Sequence, residues 1–182
     1  MVGSAAHAPN LDAVEWMVAE VLPMVRPVHP QMSLTVVGDW PAEHVDRLAS
    51  AGVHFAGRVP DDELRRLHDA AVCLVAPLRF GSGARRKIVA AMGLGLPVVT
   101  TPEGQQGLLV RDARGPADGL MIGMDAPTLA EAILAMDDDS ELWHRCADTA
   151  RQAASDVYDQ PHYTRGIARA LRTAATNRDT RR

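Results

Sequence analysis

The stretch that decides the fold is Val72-Cys-Leu-Val-Ala-Pro-Leu-Arg-Phe-Gly-Ser-Gly-Ala-Arg-Arg-Lys-Ile-Val-Ala-Ala-Met-Gly-Leu-Gly-Leu-Pro-Val-Val-Thr-Thr101. It begins and ends in apolar runs, at 72–77 and 97–101. Both runs are continuous rather than alternating, which is typical of strands that are covered on both faces. Between them, Ile88, Val89 and Met92 form the buried face of a predicted helix at 85–94. A strand, a helix and a strand in this order predict two parallel strands of one sheet.

The same alternation extends along the chain in both directions from this stretch. Further apolar runs that predict strands lie at 34–38, 53–57 and 120–123. Further patterns that predict helices lie at 11–22, 41–51, 61–71, 128–137, 140–155 and 163–175. The prediction is an α/β protein with a doubly wound, Rossmann-like parallel sheet. We expect one domain at 1–176 and a polar tail at 177–182.

Composition excludes several classes of protein. The 182 residues are 47% hydrophobic and 23% charged, an ordinary globular mixture. The net charge of −4 argues against nonspecific nucleic-acid binding, which needs an excess of Lys and Arg. No apolar run is long enough to predict a transmembrane segment, and residues 1–10 do not have the pattern of a secretory signal. Cys73 and Cys146 match no metal or redox spacing and are expected to be buried thiols in a reducing cytoplasm.

The loop inside the first stretch carries the strongest indication of a ligand. Gly81 and Gly83 flank Ser82 directly after a predicted strand, where backbone N–H groups can approach an anion. The following helix has cations in its first turn, including Lys87, and these oppose the helix dipole. A phosphate bound at this helix terminus would explain them. A glycine-rich turn with a solvated basic face fits the same residues.

Two other loops follow predicted strands and would lie at the same edge of the sheet. One contains Gly104 and Gly107, and the other runs from Gly57 through Val59 to Asp61. The backbone of the second loop could present amide and carbonyl groups to a nucleobase. Each loop taken by itself could also be an ordinary connection. Because ligands bind beyond the carboxyl ends of such strands, the three loops together favour an anionic ligand of mononucleotide size.

The order of these motifs resembles the C-terminal, donor-binding domain of group 1 glycosyltransferases, which are retaining enzymes of GT-B fold. The resemblance runs over residues 2–160. The motifs that carry it are, in chain order, Gly3, His7-x-Pro9-Asn10-x-Asp12-Ala13, Val37-Gly38, Gly57-x-Val59-x-Asp61, Ala76-Pro77-Leu78-Arg79-x-Gly81-x-Gly83, Lys87-Ile88, Ala91-Met92-x-x-Gly95-x-Pro97-Val98-Val99-x-Thr101 and Gly104-x-x-Gly107-Leu108.

The resemblance implies a domain that binds a nucleoside-diphosphate sugar for transfer to an acceptor hydroxyl with retention. The residues implied in donor binding are Val59, Asp61, Arg79, Gly81, Ser82, Gly83, Lys87, Gly104 and Gly107. Val59 and Asp61 would contact the base, the 81–83 loop with Lys87 and Arg79 the diphosphate and sugar, and Gly104 and Gly107 the pocket border. The family implies no metal and no cofactor besides the donor, and no catalytic residue is assigned.

The family architecture also implies an acceptor-binding N-terminal domain as partner. We therefore expect the 182-residue chain to be inactive alone. The expected location is the cytoplasm, at the inner face of the membrane in a full-length enzyme.

The sequence departs from the family pattern at two places. Many relatives carry a pair of glutamates where this chain has Ser82 and Ala90, and the second usually holds the ribose hydroxyls of the donor. The Arg and Lys that many relatives place after the first strand are not evident between Ser4 and Asn10. Because of these departures, the alternative is a truncated or degenerate domain that binds nucleotides or partners without catalysis. A different doubly wound nucleotide enzyme, such as an epimerase, would lack this motif order.

The last prediction from the sequence concerns the length of the first strand. Relatives have a full apolar strand that runs into the glycine matching Gly3, in the middle of the sheet. Here Met1 and Val2 represent it, so we expect a truncated first strand.

Overall fold

The computed structural model describes residues 1–49, 51–83, 85–108 and 119–158 of the chain. The strands are β1 (Leu34–Val37), β2 (Val53–Gly57), β3 (Leu74–Ala76), β4 (Val98–Thr100) and β5 (Leu120–Ile122). The helices are α1 (Ala8–Trp16), a π-helical turn (Met17–Val21), α2 (Leu22–Val25), α3 (Ala42–Ala49), α4 (Asp61–Asp69), α5 (Arg86–Leu94), α6 (Pro102–Gln105), α7 (Ala126–Asp138) and α8 (Ser140–Tyr158). Each predicted strand contains one observed strand, which confirms the α/β class. The predicted helix at 163–175, the domain boundary at 176 and the tail lie outside the described residues.

All strand pairs are parallel, but they form two groups. β1 pairs with β2, and β3, β4 and β5 form a second group with β4 in its centre. Helices cover both faces of the larger group. In β4, Val98 packs into a cluster with Ile88 and Met92 of α5, whereas Val99 packs into the cluster that contains Leu129 of α7. Neighbouring strand residues point to opposite faces, and both faces are buried, so the strands are continuously apolar.

The N-terminal residues lie where the two groups of strands are separated. Val2 makes a single parallel bridge to Val37, and the amino group of Met1 donates to the Thr35 carbonyl oxygen at 2.7 Å. A cavity of about 550 Å³ borders Met1, Thr35 and Cys73. Burial lowers the pKa of the Met1 amino group to about 5. The expected first strand is thus represented in the sheet by one bridge beside β1.

Two helices differ from the sequence prediction. The predicted helix at 11–22 begins earlier, at Ala8, and the helical path continues through a π-helical turn and past Pro23. Pro23 lies in the first turn of α2, where a missing N–H is tolerated. The loop after β4, for which the sequence predicts no helix, contains the short helix α6, which Thr101 caps by accepting a hydrogen bond from the Gly104 N–H. Within the described residues, no helix combines the length and apolar character needed to cross a bilayer.

Candidate functional site

The three loops singled out in the sequence all follow the carboxyl ends of strands. Gly57 ends β2 and leads through Val59 to Asp61, the first residue of α4. Gly81 follows β3, and Gly104 lies in α6, directly after β4. The strands of each group are parallel, so the loops that follow β3 and β4 lie at one edge of the sheet.

Two cavities border these loops. One of about 480 Å³ is lined by residues that include Ser4, Gly38, Trp40 and Gly57. The other, of about 400 Å³, is lined by residues of the 102–108 segment, including Gly107. These two cavities share no lining residue.

The glycine loop after β3 has a backbone that only glycine adopts easily. The φ angles of Gly81 and Gly83 are +114° and +103°, whereas Ser82 between them is exposed. A side chain at Gly81 would also approach the Pro9 ring, since its Cβ would lie 2.9 Å from Cγ of Pro9. Glycines at these positions therefore let the loop pass close to α1 while its middle residue faces solvent.

Lys87 is the only lysine among the 19 Lys and Arg residues of the chain, and it lies one turn beyond this loop. Its Nζ donates to Oδ1 of Asn10 at 2.5 Å, and the Asn10 side chain in turn donates to the Ser4 carbonyl oxygen at 2.9 Å. Asn10 is only 6% exposed, so it holds the ammonium in a fixed place. Burial, with a smaller contribution from Arg85, lowers the pKa of Lys87 to about 8.

Arg79, which the resemblance implies in donor binding, contacts two residues of α1. Its guanidinium forms a two-pronged ion pair with Asp12 of α1, with Nε 2.9 Å from Oδ2, and it lies 5.1 Å from the ring centre of Trp16. The carboxylate of Asp12 balances the charge of Arg79. This pair connects the loop after β3 to α1, whereas Lys87 makes no ion pair with a carboxylate of the described residues.

A second set of contacts joins the loops after β3 and β4. Thr100 donates to the Ala76 carbonyl oxygen at 2.6 Å, and Thr101, which is 2% exposed, donates to the Leu78 carbonyl oxygen. Gly104 fits beneath this pair, because a Cβ there would lie 2.0 Å from Oγ1 of Thr100. The glycine at 104 is therefore required by packing, apart from any role at a pocket border.

The sequence did not indicate Asn10, Thr100 and Thr101 as functional residues. Asn10 belonged to a motif that carried the resemblance, but its contact with Lys87 bridges 77 positions of the chain. The threonines lie in a strand end that looked like any other buried strand. For all three residues, the feature that the sequence offers is a polar side chain inside an otherwise apolar pattern. Such a side chain implies a buried hydrogen-bond partner.

We expect Thr101→Val to destabilise the fold by about 1–2 kcal/mol, because the Leu78 carbonyl oxygen and the Gly104 N–H both lose a buried partner. Urea unfolding followed by circular dichroism measures the loss. Thr149→Val is the control, since its hydroxyl donates only to a carbonyl of its own helix. Equal midpoints for Thr101→Val and the wild type would contradict the stabilising role.

Comparisons with known proteins bear on the family and the fold of this chain. The sequence profile described as "Glycosyl transferases group 1" matches residues 1–139. An uncharacterised 44.6 kDa protein of the Klebsiella pneumoniae cps region is 27% identical over 113 residues, which are 58% of this chain and 29% of that protein.

Solved structures share the fold at low identity. HepE from Anabaena, in complex with UDP and glucose, is 22% identical with a TM-score of 0.67 over 83% of this chain and 43% of that chain. Sucrose-phosphate synthase from Thermosynechococcus elongatus is 20% identical, with a TM-score of 0.70 over 97% of this chain and 45% of that chain.

A third structure is a single domain. It is the C-terminal domain of the group 1 glycosyltransferase LpcC from Francisella tularensis, 15% identical with a TM-score of 0.65 over 87% of this chain and 85% of that one. The chain thus spans less than half of the first two structures and most of the third. It belongs to the group 1 glycosyltransferase family and has the Rossmann-like fold of the C-terminal half of the GT-B architecture.

Proposed function

We propose that this chain binds the nucleoside-diphosphate part of a sugar nucleotide at the carboxyl edge of its sheet. In a complete enzyme the sugar would then pass to an acceptor hydroxyl with retention of configuration. The observation that carries the proposal is the half-buried ammonium of Lys87 beside the glycine loop that follows β3, which pairs with no carboxylate of the described residues. The complexes of HepE with UDP and with UDP-glucose support it, since that protein shares this fold.

The proposed roles follow from charge and position. The amides of the 81–83 loop and the N-terminal end of α5 would receive the diphosphate, and Lys87 would supply a full positive charge. The backbone around Val59 and Asp61 would hold the base, and Gly107 would border the pocket. We further propose that no divalent metal is needed, because Lys87 and the amides would stabilise the leaving diphosphate.

A binding domain without turnover is the second candidate. It is favoured by one observation, Ala90, which stands where many relatives have a glutamate for the ribose hydroxyls. Such a domain would hold a nucleoside diphosphate weakly and would not transfer sugar, even when an acceptor-binding domain is supplied.

The direct test is titration calorimetry with UDP, the nucleotide bound to HepE. We expect binding by the wild type and a loss of about tenfold in affinity for Lys87→Met, since a charge-assisted contact of about 1.5 kcal/mol is removed. Arg86→Met is the matched control, because it removes an exposed cation from the adjacent position. Equal affinities for wild type and Lys87→Met would refute the role of Lys87, and no heat with UDP, ADP or GDP would refute the proposed function.

Binding is also expected to depend on pH in a defined direction. The diphosphate prefers the protonated amine, and the pKa of free Lys87 is about 8. Affinity should therefore fall as pH rises above about 8, by up to about tenfold per pH unit until the higher pKa of the complex is reached. Titrations from pH 7 to 9 measure this, and Lys87→Met should remove the slope.

The contribution of Lys87 to folding stability should change with pH in the direction opposite to the change in UDP affinity. The pKa of Lys87 in the folded chain, about 8, is below its ordinary value of 10.5. Between these values the unfolded chain binds more protons, so the contribution of Lys87 to the free energy of unfolding rises with pH. Weaker UDP binding at pH 9 could not then be explained by a loss of stability at this group. A UDP affinity that is constant from pH 7 to 9 would contradict the proposed contact between Lys87 and the diphosphate.

A further inference from the structure

Arg85 is buried between the two glycine loops. It precedes α5, its residue is 6% exposed, and one terminal nitrogen of its guanidinium donates to two carbonyl oxygens. The acceptors are Gly81 at 3.0 Å, in the loop after β3, and Glu103 at 2.7 Å, in the loop after β4. Its Nε is buried and has no hydrogen-bond partner among the described residues. Burying a guanidinium costs free energy, which these two hydrogen bonds to carbonyl oxygens offset only in part.

The position of Arg85 has two consequences. Its two hydrogen bonds fix the separation of the loops, together with the contact of Thr101 to the Leu78 carbonyl oxygen. Its charge lies near Lys87 and disfavours the protonated ammonium there. The Met1 amino group also interacts with Lys87 when protonated, but its pKa of about 5 leaves it neutral at pH 7, and the direct contact of Lys87 is the neutral Asn10.

We propose that Arg85 is a positioning residue of the donor site, which holds the 81–83 loop and α6 in register. This inference rests on the proposed function. Arg85 does not itself need to touch the ligand. It acts because the glycine loop can present its amides only when its carbonyl at Gly81 is held away from the anion.

Two substitutions separate the two effects of Arg85. Arg85→Lys keeps a positive charge, but its shorter side chain does not extend as far as the terminal guanidinium nitrogen that donates to both carbonyls. Arg85→Met loses both charge and hydrogen bonds. We expect UDP affinity to fall about tenfold or more in both variants, since two carbonyls lose a charged donor. The pKa of Lys87 should rise in Arg85→Met and stay low in Arg85→Lys. Arg86→Met, one position along the chain, should change neither.

The ligand-free protein provides readouts that do not depend on UDP. Lys87 is the only lysine, so NMR of protein labelled at the lysine Cε gives its titration as one signal. Amide hydrogen exchange at Gly81, Gly83 and Gly104 reports on the loops, and it should accelerate in both Arg85 variants but not in Arg86→Met.

The outcomes are distinct. Unchanged exchange and an unchanged Lys87 titration in folded Arg85 variants would overturn the inference, whether or not UDP binds. If the wild type fails to bind UDP while exchange and titration respond as expected, the proposed function fails and the structural role of Arg85 stands. If Arg85→Met does not fold, Arg85→Lys decides by its loop exchange and UDP affinity.

Discussion

The 182-residue chain, expressed alone, is expected to bind UDP but not to transfer sugar at an enzymatic rate. The family places its active site between two domains, and this chain corresponds in fold to one of them. Without groups that hold an acceptor hydroxyl near the donor, the contribution of proximity and orientation is lost. That contribution is worth up to about 7–11 kcal/mol of activation free energy, so transfer should fall below detection.

The measurement is release of UDP from UDP-glucose in the presence of simple sugar acceptors, followed by a coupled assay. Calorimetry with UDP on the same preparation is the control, because it shows that the donor site is folded. Acceptor-dependent release at an ordinary enzymatic rate by these 182 residues would contradict the expectation. It would also reject the second candidate, a binding domain without turnover.

The strands and the position of the glycine loop could be predicted because they depend on local patterns. A strand such as β4, buried on both faces, must be apolar at every position, and a loop that follows it to a helix is marked by glycines. The path past Pro23 was not predicted, since a proline in a helical pattern indicates an end. Here a π-helical turn and a new first turn accommodate the ring.

The contacts that organise the site could not be predicted, because their partners are distant in the chain. Arg85 looked like a cation on a helix end, but its acceptor in Glu103 lies 18 positions away and its side chain is buried. Lys87 and Asn10 are 77 positions apart. Arg79 looked like a diphosphate ligand, and only the structure shows that Asp12 balances its charge. A single sequence gives the residue types at a sheet edge, whereas tertiary packing decides which of them remain available.

The position of Ala90 leads to the other large expected effect, on nucleotide affinity. Ala90 is exposed and lies three residues after Lys87 in α5, so both project from the same side of the helix. A longer side chain at 90 therefore meets solvent rather than the core. A carboxylate there could accept hydrogen bonds from the ribose hydroxyls of a nucleotide whose diphosphate lies at Lys87.

We expect Ala90→Glu to tighten UDP binding by ten- to a hundredfold, because a charged acceptor for hydroxyl donors contributes about 1.5–3 kcal/mol. Calorimetry with UDP measures the gain, and Ala90→Gln, of the same size without charge, should show less of it. Since Arg86 is four residues earlier and could pair with the new carboxylate, the comparison is repeated with Arg86→Met in both proteins. A 2′-deoxy nucleotide should lose part of the gain, because one of the two hydroxyl donors is missing. Tightening that is equal for UDP and its 2′-deoxy form, or no tightening in either background, would show that the ribose does not lie beside position 90.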